Sequence, residues 1–167
     1  MGGPWVIRPA RPTDAAEIER VARAAWHAAY DPVLGPVVVD SVVDRWYALG
    51  TLRTEIEEAR WFFVAVEDGS VVGYTHAGRL AGRPRIAELY RIYVDPERWN
   101  GGIGTALLGA VLDAACSAGT ERIRLLVLAD NEVGIEFYRA RGFESVGRTT
   151  TTLGDTEYEE LVFERGC

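Results

Sequence analysis

The 167-residue sequence contains no lysine: all 18 of its basic residues are arginine. Against 25 carboxylates this leaves a net charge of −7 and an isoelectric point near 4.9. Such a balance excludes a nucleic-acid surface, which needs a basic stripe to replace condensed counterions. It reads instead as a solvated acidic surface suited to high ionic strength, or, more sharply, as a field that attracts a cationic substrate. Without lysine there is no P-loop, whose Gly-Lys-Ser/Thr places an ammonium on a nucleotide phosphate. Histidine is almost absent too, and neither His27 nor His76 stands in an HExxH or CxxC context, so no metal site is expected. Cysteine is scarce: Cys116 falls in an expected helix and Cys167 is the last residue, and both are expected to be free thiols. There is no apolar run long enough for a bilayer and no charged start followed by an apolar stretch. The expectation is a cytoplasmic protein with no membrane partner.

What is present is one domain's worth of chain, 1–167, with 48% hydrophobic residues. Trp5 to Arg8 reads as a first strand, ended by Pro9 and Pro12. Asp14 and Glu17 have the spacing of a capping box. Ile18, Val21, Ala22, Ala25, Trp26 and Ala29 then fall on one helical face, which Pro32, Gly35 and Pro36 should break. A second helical stretch is expected from about Asp40 to Ala59, interrupted near Gly50. Trp61 to Val66 is a continuous apolar run, hence a buried strand. Asp68-Gly69 is a hairpin turn leading into a return strand, Val71 to Gly78. Glu88 to Val94 is a fourth strand, stopped by Pro96. A helix should start near Gly102, its face made by Ile103, Ala106, Leu107, Ala110, Val111 and Ala114. A buried strand Arg122 to Leu128, a short helix Asn131 to Arg141 with a left-handed cap at Gly142, and a hairpin Phe143–Thr151/Glu157–Glu164 complete the chain. Hairpins on both sides of one β-α-β crossover imply a mixed sheet with helices on both faces, not a doubly wound parallel one.

The informative segment is Ile92-Tyr93-Val94-Asp95-Pro96-Glu97-Arg98-Trp99-Asn100-Gly101-Gly102-Ile103-Gly104-Thr105. A strand ends, a glycine-rich turn follows and a helix begins. Glycines let the backbone approach a ligand, and the helix start offers unpaired N–H groups and a positive dipole end. Together these make a phosphate cradle. A dinucleotide fingerprint would need a third glycine where Leu107 stands and a shorter turn than the Asp95–Trp99 segment allows. The same glycines also suit a tight turn that lets a helix pack closely.

At these residues the chain resembles the GNAT superfamily of acetyl-CoA-dependent N-acetyltransferases. Val94-Asp95-Pro96 and Gly102-x-Gly104 match that family's cofactor signature, with Trp99 at the position usually held by Gln or Arg and Arg98 next to it. Asn131 to Phe143 resembles a second family segment, carrying Asn131, Phe137-Tyr138 and Gly142-Phe143. The resemblance implies a mostly antiparallel central sheet of about seven strands with helices on both faces. It also implies acetyl-CoA as cosubstrate, bound by Ile92, Tyr93, Val94, Trp99, Asn100, Gly101, Gly102, Ile103, Gly104, Thr105, Asn131 and Phe137. The strand ending at Val94 and the strand at Leu125–Leu128 should splay apart to admit the pantetheine arm. Glu88 resembles the general base of many members and Tyr138 the general acid. Trp26, Tyr30, Trp46 and Tyr74 are candidates for lining the acceptor pocket. The implied reaction is acetyl transfer to a primary amine of a small molecule or peptide by direct attack in a ternary complex. The absence of a carboxylate before Asp130 on the Leu125–Ala129 strand speaks against a protein N-terminus as acceptor. The rival reading is a CoA-binding regulatory module without turnover, which would need neither Glu88 nor Tyr138. A homodimer is compatible with either.

Overall fold

A computed structural model describes residues 3–167. Its seven strands form one sheet in the order β1-β2-β3-β4-β5-β7-β6, namely β1 Trp5–Pro9, β2 Trp61–Glu67, β3 Ser70–Leu80, β4 Arg83–Val94, β5 Arg122–Leu128, β6 Glu144–Leu153 and β7 Thr156–Gly166. Neighbours run antiparallel except β4 and β5, which are parallel because α4, Ile103–Ser117, carries the chain back between them. The remaining helices are α1 Ala15–Leu34, α2 Pro36–Trp46, α3 Leu49–Glu58 and α5 Glu132–Arg139. No helix among the described residues is long and apolar enough to cross a membrane.

Strand alternation divides the core into two layers. On β2, Phe62 and Val64 pack with Ile18, Val21, Trp26, Val43 and Leu52 of α1–α3. Trp61 and Ala65 point the other way, toward the face covered by α4. The uninterrupted Trp61–Val66 run is thus buried on both sides. Each such fully buried aliphatic or aromatic side chain contributes roughly 1.5–3 kcal/mol relative to exposure. The Asp68-Gly69 turn has φ of +49° and +79°, the geometry a two-residue hairpin requires.

Four expectations need correction. Asp14 does not cap α1 with its side chain: it accepts from Arg8 and from the Arg11 N–H, holding a 3-10 turn, Pro12–Asp14, before the helix. Pro32 does not break α1, which carries it in its last turns and ends at Gly35 with φ +82°. Pro36 starts α2, since a proline at the first helical position loses no hydrogen bond, and the break before α3 falls at Tyr47-Ala48, ahead of Gly50. Finally, Cys116 and Cys167 are not free thiols. They form a disulfide that ties the last residue of the chain to α4.

Candidate active site

The parallel pairing of β4 with β5 runs only from Ile86–Arg122 to Leu89–Leu125. Beyond that point β5 stays paired with β7 as far as Leu128–Glu160, while β4 continues to Val94 paired with β3. The two central strands therefore part, leaving facing backbone edges without a neighbour. An irregularity at Tyr90 on β4, between the Leu89–Ala77 and Arg91–His76 pairs, begins the divergence. The gap opens into a cleft of about 1010 Å³ that also takes in the start of α4, the start of α5 and the α1 face.

At the end of β4 the chain turns through Asp95, whose carboxylate accepts from the Glu97 N–H at 3.0 Å. Asn100 and Gly102 both have positive φ, +65° and +85°, and Gly102 precedes the first turn of α4. No side chain caps α4, so its first N–H groups remain available to an anion. A Cβ on Gly104 would lie 3.4 Å from the Phe137 ring and 3.8 Å from Val94. This glycine lets α4 start close against both residues, so close packing and ligand approach act at the same position.

The residues put forward from sequence mostly converge. Glu88, Tyr138, Ile92, Tyr93, Val94, Trp99, Asn100, Gly102, Ile103, Gly104, Thr105, Asn131 and Phe137 all line this cleft. Gly101 does not; a Cβ there would lie 3.3 Å from the Arg98 carbonyl. Trp26, Tyr30 and Trp46 line the cleft as well, whereas Tyr74 is fully buried and hydrogen-bonded to Tyr47 at 2.5 Å, a core residue. Asn131 has two structural tasks. Its side-chain oxygen caps α5 at the Gly134 N–H, 2.9 Å, and its amide donates to the Tyr30 hydroxyl at 3.1 Å.

Charge at the cradle is arranged differently from what the sequence suggests. The Trp99 indole N–H donates to the Val94 carbonyl at 2.8 Å and braces the end of β4. Arg98 is engaged by the buried Glu67 at 2.5 Å. The cation beside the α4 start is Arg141, from the turn after α5. It donates to Thr105 Oγ1 at 2.6 Å and to the Phe137 carbonyl at 2.8 Å, and lies 3.8 Å over the Phe137 ring. Nothing in the local sequence distinguishes Arg141, because its partner is 36 residues away.

Around the gap, burial pushes the Tyr138 hydroxyl well above the ordinary tyrosine range, with nearby Tyr30 adding to the shift. Tyr138 packs edge-on to Phe137 and Phe143. Glu88 is half-buried and stands in register with Arg124 on β5. It is not paired with Arg91, which reaches Glu55 on α3 at 2.6 Å. A second half-buried carboxylate, Glu160 on β7, was not singled out from sequence; desolvation raises its pKa above the usual carboxylate value.

Residues 17–143 match the acetyltransferase (GNAT) family. An uncharacterized N-acetyltransferase of Mycobacterium tuberculosis is 30% identical over 154 residues, covering 92% of this chain and 97% of that one. The spermidine N(1)-acetyltransferase of Thermoplasma acidophilum is 26% identical over 95% of each chain. The crystal structure of the PaiA N-acetyltransferase from Thermoplasma acidophilum, in complex with coenzyme A, has a TM-score of 0.87 at 25% identity, covering 99% of this chain and all of that one. Sequence, sheet order and the divided central strands agree, and the chain belongs to the GNAT family of acetyltransferases.

Proposed function

We propose that this chain is, over its whole length, one catalytic domain that transfers an acetyl group from acetyl-CoA to the primary amine of a small molecule. The observation that carries the reading is the parting of β4 from β5 immediately beside an uncapped helix start. The free backbone edges can pair with an extended amide-bearing arm as an added strand would. The N–H groups of Gly102, Gly104 and Thr105 suit a pyrophosphate, and Arg141 adds the positive charge that Trp99 does not. The relative solved with coenzyme A supports this placement.

Glu88 and Tyr138 flank the gap. The amine nitrogen attacks the thioester carbonyl; the C–N bond forms, the C–S bond breaks, and an amide and a free thiol result. Glu88, reached directly or through one water, takes the proton that the ammonium must lose. Tyr138, like any phenol, carries its proton at neutral pH. It gives that proton to the departing sulfur as the C–S bond breaks and recovers it from solvent, against the cost that burial adds to its anion. Trp26, Tyr30 and Trp46 form the aromatic wall on the acceptor side. The proposed cosubstrate supports a cytoplasmic setting, and the Cys116–Cys167 bond argues against a reducing one.

The test is a panel of amines incubated with acetyl-CoA while released thiol is followed. Amine-dependent release supports the enzyme; CoA binding without release on any amine supports a regulatory module.

A further inference from the structure

We propose that the acceptor is a diamine, and that Glu160 holds the ammonium that does not react while the other end is acetylated. This rests on the acetyltransferase reading and names the substrate of the same cleft.

The cleft passes through the sheet. One mouth is the start of α4; the other opens on the face covered by α1. Leu128 and Tyr158 pack into the α1–α3 core, while Val127 and Leu161 pack into the opposite layer. By strand alternation, Glu160 on β7 and Leu126 on β5 share the face of Leu128 and Tyr158. Ala87 and Leu89 belong to the opposite layer, which puts Glu88 on this face too. Glu88 and Glu160 are the half-buried carboxylates of the cleft; Asp130 and Glu132 are exposed.

Glu160 has no ion-pair partner among the described residues, although its neighbour Glu159 pairs with Arg148. A partly desolvated carboxylate without a cation is costly, and burial raises its pKa accordingly. An incoming ammonium removes that cost. The wall beside it is aromatic: Trp26 lies tilted against Tyr30, ring centres 4.6 Å apart, and meets Trp46 edge-on at 5.6 Å. Such faces accept both methylenes and cations. Leu126, 38% exposed, gives the stem an apolar floor.

Spacing selects the length. The last β4–β5 pair is Leu89–Leu125, so the thioester becomes reachable just past it. Glu160 is paired with Leu128, three residues further along β5, about 10 Å at the usual strand rise. A monoamine of any length leaves Glu160 unpaired, and a peptide α-amine brings no second cation at a fixed distance. A linear diamine with a stem of about six methylenes spans the interval.

The experiment compares hexamethylenediamine with hexylamine, which share a stem and differ in the far charge. We expect the wild-type protein to favour the diamine in kcat/KM by about 10- to 100-fold, the range of a charged hydrogen bond. In Glu160→Gln, which keeps the shape, that ratio should fall to about one, mainly through KM. Equal use of both amines by the wild-type protein overturns the proposal, as does a diamine preference that survives Glu160→Gln. An equal loss on both amines in the variant would make Glu160 a base and also overturns it. Thiol release that neither amine accelerates over water alone overturns the acetyltransferase reading and this proposal together.

Discussion

The guanidinium of Arg141 reaches across from the end of α5 to Thr105 Oγ1, 2.6 Å away in the first turn of α4. This contact places a fixed positive charge beside the helix start where Trp99 supplies none. Arg141→Ala should weaken coenzyme A binding by about 10- to 100-fold, the worth of a charged hydrogen bond to phosphate. Arg98→Ala should leave that affinity close to wild type, since Arg98 serves Glu67, and should lower the melting temperature by stranding a buried carboxylate. Calorimetry on the two variants separates the assignments. Equal losses of affinity would return Arg98 to the phosphate site.

Tyr138→Phe removes one hydroxyl and keeps the ring between Phe137 and Phe143. If the hydroxyl protonates the leaving thiolate, kcat should fall by roughly 10²–10⁴-fold. Acetyl-CoA affinity and melting temperature should hardly move. Full activity with a stability change of about 1 kcal/mol would make Tyr138 a core residue instead.

Gly104→Asp puts a carboxylate at the anion cradle and a Cβ against Phe137. Gly104→Ala adds the Cβ alone. Coenzyme A affinity should be abolished in the first variant and only reduced in the second. The same loss in both would assign the glycine to helix packing and not to phosphate approach.

How far the sequence could be read follows the range of the interactions involved. The Asp68-Gly69 turn, the β5 boundaries and the left-handed Gly142, φ +89°, are local, and residue identity alone announces them, although α5 itself ends earlier, at Arg139 with Ala140 as its cap. The α2 start is ambiguous in sequence because Pro36 is a stop signal in one context and a first helical residue in another. The burial of Tyr74 is not legible because an aromatic carries no sign of which face it will meet. Arg141, Glu160 and the Cys116–Cys167 pair are invisible for another reason. Each acquires its role from a strand or helix tens of residues away, and only the sheet order brings the partners together.

His27 joins two helices: Nδ1 meets Asp31 at 2.7 Å and Nε2 meets Asp40 on α2 at 2.8 Å. Its pKa is raised above the ordinary 6.5 by the Asp40 hydrogen bond first and the Asp31 bond second. A raised folded-state pKa means the imidazolium stabilises fully below the unfolded value and the contribution fades as pH climbs through the folded one. The melting-temperature advantage of wild type over His27→Gln should therefore be largest near pH 5–6 and shrink toward pH 9. A pH-independent gap would show that packing, not charge, joins the helices.

The Cys116–Cys167 bond closes a segment of 51 residues. In the chain-entropy view such a closure stabilises by about 4 kcal/mol at most. Cys167→Ser should lower the melting temperature under non-reducing conditions and make it insensitive to dithiothreitol, which should destabilise only the parent. Identical melting curves of the parent with and without reductant would mean the bond does not form in solution.

Arg91, Arg98 and Arg141 are the cations lining the cleft, and each is a guanidinium that stays protonated at any physiological pH. A guanidinium has no lone pair with which to attack a carbonyl. With no lysine anywhere in the chain, a thioester held here faces no rival side-chain amine, within the cleft or on the surface of a neighbouring copy. No residue of this sequence offers an ε-amino group for acetylation by the protein itself.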